Sequence, residues 1–203
     1  MVALSRDAIR RAVLMSAIGS YSQGVFGAKR LHKVLYFAER ESREKPFTFV
    51  KHLYGQWSEE VEDTLLQLAA AGAISVTPLD SGRGNSFRST SSQLVSITQR
   101  VVEKALPDFH HALQATIRDR GYLPEERLTA LAYELPEFSR AGAGVELVTG
   151  NVPERITVDI SDQDAEDIEL DLNPVFVSSM SKVVSAIDSS TLNLGRAPST
   201  RLD

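Results

Sequence analysis

Residues 29–76 constrain this chain more than any other stretch. In Lys29-Arg30-Leu31-His32-Lys33-Val34-Leu35-Tyr36-Phe37-Ala38, Leu31, Leu35 and Ala38 recur on one face with Val34 and Phe37 beside them. That is the i, i+3, i+4, i+7 spacing of a buried helical stripe. Lys29, Arg30, Lys33 and Arg40 lie mostly off it. A second stripe, Val61, Leu65, Leu68 and Ala69, ends at Gly72, a residue free to take the left-handed conformation that closes a helix. Ala73 to Val76 follow as a short apolar strand. Helix, helix, glycine stop, strand, polar turn and second strand is the order of a winged helix. A mainly α (α+β) fold is therefore expected, with a short β-hairpin as the wing.

The flanking segments fit around this unit. Ser5 is placed to cap a helix over 5–18, with Asp7 in its first turn and Ile9, Val13, Leu14, Ala17 and Ile18 on its apolar face. Gly19 to Gly27 reads as a loop whose Val25 and Phe26 dip into the core. The second helix, about 27–44, stops before Lys45-Pro46. Phe47 to Leu53 alternates like a short strand leading to a turn at Tyr54-Gly55, and Ser58 with Glu59, Glu60 and Glu62 opens the next helix. Asp80 to Asn85 is the turn between strands at 73–77 and about 86–97. A helix over about 98–119 is expected to kink or split at Pro107, and another over Pro124 to Tyr133, with Pro136 as its stop.

From Ala141 the composition changes, which divides the chain into a domain over 1–140 and an acidic extension over 141–203. Residues 154–160 alternate with period two as one strand, and seven acidic residues lie between Asp159 and Asp171. From Pro174 a last helix is expected, with Phe176, Met180, Val183, Val184 and Ile187 as its stripe, before a loose tail. That stripe either docks on its own chain or buries itself in a second copy, giving a homodimer.

Charge divides the same way. Residues 1–120 hold 16 Lys and Arg against 12 Asp and Glu, or +4; residues 121–203 hold 6 against 15, or −9. A mildly basic first part suits nucleic acid or an acidic partner, and the acidic remainder repels phosphate. With no cysteine there are no disulfides, thiol nucleophiles or cysteine-held metals. No apolar run approaches the roughly 18 residues of a membrane span and the first residues do not form a signal peptide, so a cytoplasmic location is expected.

No catalytic, metal or cofactor site is expected. His32, His52, His110 and His111 include no i, i+4 pair, and the acidic run lacks the glycine and ligand order of an EF-hand. Gly82-Arg83-Gly84 and Gly142-Ala143-Gly144 lack the lysine and Ser/Thr of a phosphate loop, and no serine sits in a Gly-x-Ser-x-Gly elbow. Two surface sets remain. Lys29, Arg30 and Lys33, with Arg83 and Arg88 on the wing, are candidate phosphate contacts. Tyr36, Tyr54 and Trp57, with Gln56 between the last two, surround one turn as candidate partner-binding anchors.

The Lys-x-x-Lys-hydrophobic-Leu-Tyr-Phe-Ala helix, the Tyr-Gly-x-x-Ser turn with acids after it, and the Leu-x-x-Leu-x-x-x-Gly-x-Ile close together resemble the SocA-like, or Panacea, antitoxin domain family and related phage-associated winged-helix proteins. The likeness covers roughly residues 5–140. Glu134-Leu135-Pro136-Glu137-Phe138 is similar to the Tyr-Pro-Glu-aromatic segment ending a late helix in some members. One departure stands out: Gln56, followed by Trp57, occupies the place after Tyr-Gly where the family usually has proline, which removes a fixed backbone angle from the turn. The resemblance implies a bacterial antitoxin of a toxin–antitoxin system, or an adaptor presenting the toxin to a protease, that works by protein–protein interaction without catalysis. A winged-helix DNA-binding regulator and a scaffold subunit of a phage-defence assembly are the alternatives.

Overall fold

The computed structural model describes residues 1–53, 55–79, 84–175 and 177–178. The expected helix after Pro174, its apolar stripe with the homodimer it would form, and the tail fall almost entirely outside those residues. So do Tyr54 and Arg83.

The protein is a mixed α/β structure with eight α-helices and three small sheets among the described residues. The chain opens with β1 (Val2–Ser5) and α1 (Arg6–Gly19). Ser5 caps α1 as its spacing predicts, its Oγ accepting from the Ala8 N–H at 3.2 Å. Both faces of α1 are covered, and Ala8 through Ile18 is buried apart from Arg10. β2 (Val25–Phe26) precedes α2 (Ala28–Glu41). Val25 enters the core, but Phe26 is half exposed, because adjacent strand residues face opposite sides.

α2 is the central helix, buried without a break from Leu31 to Glu39. It ends three residues before the expected 44, where Ser42 turns back and its Oγ accepts the Glu44 N–H at 3.0 Å. β3 (Phe49–His52) and β4 (Gly55–Trp57) then pair as a tight hairpin, with His52 opposite Gly55 at φ 117°, a value that favours glycine. α3 (Glu59–Ala70) follows its Ser58 cap and closes through Gly72 at φ 71°.

β5 (Ile74–Pro78) and β6 (Asn85–Ser89) form the expected hairpin, and β2 adds on the far side of β6, for the order β2-β6-β5. The second strand is shorter than its expected span. Leu94, Val95 and Ile97 belong to α4 (Ser92–Ala105), because Ser91 caps that helix by accepting the Leu94 N–H at 3.2 Å. Pro107 splits the following helix as anticipated: α4 stops at Ala105 and α5 runs Pro107–Thr116, continuing into a π-helical turn at Ile117–Gly121. α6 (Glu125–Tyr133) comes next, and Pro136 starts the short α7 (Pro136–Arg140).

The segment beyond 140 is stitched into the same body. β7 (Glu146–Val148) pairs with β3, and β8 (Arg155–Val158) pairs with β1, residue 2 against 158. The acidic run forms α8 (Asp162–Glu166) and a π-helical turn at Asp167–Asp171. Its Ala165, Ile168 and Leu172 sit in one continuous core with Leu4, Ile9 and Val101. Its acids also bond inward: Glu169 Oε1 accepts from the Ser5 N–H at 3.2 Å, and Asp164 pairs with Arg100 at 2.8 Å. Among the described residues no helix is long and apolar enough to cross a membrane.

Candidate functional site

The first turn of α2, the β3–β4 hairpin and the start of α3 converge on one histidine. Ser58 Oγ caps α3 through the Val61 N–H at 3.4 Å, while the N–H of Ser58 itself donates to His32 Nδ1 at 3.2 Å. Nδ1 is thereby an acceptor, which assigns the proton to Nε2, and Nε2 lies 2.8 Å from Glu62 Oε1. That hydrogen bond draws the Glu62 carboxyl below its ordinary pKa in spite of partial burial. The Trp57 ring stacks on His32 at 6.5 Å between centroids, 22° from parallel, and lies 5.8 Å from the His52 ring. These groups wall a cavity of about 210 Å³.

Two further polar side chains reach it from below. Lys33 is only 2% exposed, and its ammonium makes no hydrogen bond or ion pair with another described residue. Burial lowers its pKa, and although Glu125 opposes the shift, Lys29 and Arg30 reinforce it. Gln56 is 4% exposed; its Nε2 donates to the Ala132 carbonyl of α6 at 3.0 Å, and its Oε1 has no partner. Lys29 stands exposed beside them, on the first turn of α2.

The cavity thus unites Lys29, Lys33, Gln56 and Trp57 from the two sets that sequence suggested. Other members of those sets point elsewhere. Tyr36 is fully buried, its ring edge-on to Phe49 at 5.6 Å and its hydroxyl donating to Glu137 Oε1 at 3.2 Å, so it anchors the interior and presents nothing to a partner. Arg30 spends its guanidinium on the chain, donating from Nη1 to the carbonyls of Gly121 at 2.6 Å and Leu123 at 2.8 Å. Arg88 is exposed on β6 and donates to the Gln23 carbonyl at 3.0 Å. The expected basic surface is therefore broken, because Arg30 and Lys33 turn inward. His32, His52 and Glu62 escaped sequence reasoning: Glu62 reads as a first-turn acid of α3, and nothing local links it to a histidine 30 residues earlier.

A second cavity, about 310 Å³, lies between Tyr21, Phe26, Arg30 and Tyr122. Burial pushes the Tyr21 hydroxyl up to about 12, and that hydroxyl lies against Gly121, where a Cβ would sit 2.7 Å away. Among the described residues no group of three or more His, Asp or Glu side chains is arranged to hold a metal ion. No family model matches this chain, and no curated protein or solved structure is significantly similar to it.

Proposed function

We propose that this protein is a non-catalytic protein-binding module on a winged-helix-like body. Following the resemblance of residues 29–76, it acts as an antitoxin or proteolytic adaptor that neutralises a partner toxin. The placement of β2 between α1 and α2, and its pairing with the far strand of the β5–β6 hairpin, supports the winged-helix part.

The observation that carries the binding part is where the positive charge has gone. In a winged-helix DNA reader, the helix before the wing enters the major groove and its neighbours grip phosphates. Here that helix is α3, whose solvent side carries Glu59, Glu62 and Asp63 around Leu66, itself 68% exposed. An acidic helix repels phosphate, and Arg30 and Lys33 are committed inside. What the surface offers instead is Trp57 at a cavity and, farther along the same hairpin, Leu53, 80% exposed. Aromatic and apolar anchors of this kind characterise protein interfaces.

The test is co-expression with the product of the adjacent gene, followed by size-exclusion chromatography and, in parallel, gel-shift titration with duplex DNA at two salt concentrations. A stoichiometric complex that Trp57→Ala weakens, with no DNA retention, is expected. Duplex binding that falls steeply with salt, without a protein complex, overturns the reading.

A further inference from the structure

We infer that the cavity between Tyr21, Phe26, Arg30 and Tyr122 is a binding site for a small aromatic carboxylate. It shares no lining residue with the Trp57 cavity and does not depend on the protein-binding reading. Three features of the cavity carry it.

The first is the wall. At about 310 Å³ the cavity reaches the lower end of the roughly 300–1,000 Å³ range of small-molecule sites. Three of its side chains are aromatic: the Tyr21 and Tyr122 rings meet at 5.3 Å, inclined by 53°, while Phe26 is 50% and Tyr122 65% exposed. Rings left that open offer both apolar area and the face or edge that another ring prefers. The backbone around them is tightly set, since a Cβ on Gly24 would lie 2.6 Å from the Phe87 carbonyl.

The second is charge. Arg30 is the only ionised side chain of the lining, and no acid stands among the lining residues. The carbonyls of Gly121 and Leu123 take only its Nη1, which fixes the guanidinium in place without neutralising it. Nε and Nη2 bond no described residue and are not sealed from solvent. Those two nitrogens form one edge of the planar fork, the edge that grips both oxygens of a carboxylate.

The third is an unmet donor. Tyr21 is 6% exposed, burial keeps its hydroxyl protonated at neutral pH, and that hydroxyl has no partner among the described residues. It lies against Gly121, the residue whose carbonyl accepts from Arg30 at 2.6 Å, so hydroxyl and guanidinium converge on one place. A buried hydroxyl without a partner is costly, and the anion held by Arg30 supplies an acceptor beside it.

The recognition is therefore a carboxylate on the Nε–Nη2 edge of Arg30 with its ring against Phe26 and Tyr122. A neutral amide turns an N–H toward the guanidinium, and a saturated ring forgoes the aromatic contact.

The test titrates the full chain with benzoate, with benzamide as the neutral counterpart and cyclohexanecarboxylate as the non-aromatic one, followed by amide proton–nitrogen NMR. Benzoate is expected to move the signals of Gly24 and Gly121 saturably, at least about fivefold more tightly than benzamide and several-fold more tightly than cyclohexanecarboxylate. Emission of Trp57, the sole tryptophan, stays constant, because it lines the other cavity. Arg30→Lys, which keeps the charge and loses the fork, is expected to weaken benzoate at least about fivefold. Tyr122→Ala changes an exposed side chain and is expected to weaken it several-fold, which keeps the test independent of how the Arg30 variant folds. Benzamide bound as tightly as benzoate, unmoved signals at Gly24 and Gly121, or undiminished binding by Tyr122→Ala overturns the inference. Cyclohexanecarboxylate bound as tightly as benzoate overturns the aromatic assignment. A response confined to Trp57 emission places the probe in the other cavity and overturns the site.

Discussion

The hydroxyl of Tyr36 and the carboxylate of Glu137 meet at 3.2 Å across 101 residues of chain, joining the central helix to the short helix that follows Pro136. Arg40, one turn on from Tyr36, binds the same carboxylate oxygen. Burial, with Glu137 second, raises the Tyr36 pKa, so the hydroxyl stays protonated and donating throughout the neutral range.

Tyr36→Phe keeps the ring against Phe49 and removes only the hydroxyl. The expected cost is about 0.5–1.5 kcal/mol in urea unfolding, the usual worth of one internal hydrogen bond. In a Glu137→Gln background the same change should cost less, and a double-mutant cycle measures the coupling.

Glu39 sits fully buried with Oε1 accepting the Phe47 N–H at 2.7 Å and Oε2 unpartnered. Burial raises its pKa well above 4.5, against the opposing effect of the Phe47 bond. The folded state therefore binds more protons than the unfolded one once pH exceeds about 4.5, and stability falls as pH rises from there toward the folded value. Glu39→Gln keeps an acceptor for Phe47 and removes the ionisation. Its melting temperature, measured against the parent from pH 5 to 8, is expected to gain progressively.

Glu62 gives the opposite sign. Its lowered pKa means that the His32 bond contributes stability above about 4.5 and loses it as pH falls through the folded value. Glu62→Gln should unfold with a shallower acid dependence below pH 4.5. Ser58→Ala, which removes the cap of the same helix, is expected to cost about 0.5–2 kcal/mol at every pH.

Lys33→Met exchanges a buried ammonium for an apolar chain of similar reach. Chemical denaturation at pH 7 should show a gain of up to about 1 kcal/mol, because a side chain whose charged form is disfavoured by burial is removed. A lysine whose folded pKa is depressed burdens the fold fully below that value and ceases to do so above its ordinary 10.5. The advantage of Lys33→Met should shrink as pH climbs toward 10.5.

Ile168 is fully buried within the acidic run, and Ile168→Ala is expected to cost about 2–5 kcal/mol. A chain ended at residue 150 would lose β8, leaving β1 without a partner and Leu4 uncovered. Calorimetry on that truncation should show no cooperative transition.

The parts legible in the sequence are those governed by local chemistry. Ser5 and Ser58 announce helix starts, Gly72 a stop, and Pro107 a break, because each acts on backbone groups within a turn of itself. Pairings between distant segments leave no such mark. β1 and β7 are four and three residues long and exist because β8 and β3 lie beside them. The candidate site was half legible for the same reason. Trp57 and Gln56 stand out beside a turn, but Lys33 lies off the apolar stripe and is buried where β4 and α6 pack on α2, and His32 finds Glu62 through folding alone.

The pairing of residues 2–5 with 155–158 also sets a clock on synthesis. At the roughly 5–20 residues per second of translation, the opening strand waits about 8–30 s before its complement leaves the ribosome. Throughout that interval a bare strand edge is open to passing chains, so the cell must shield the nascent protein or make it sparingly.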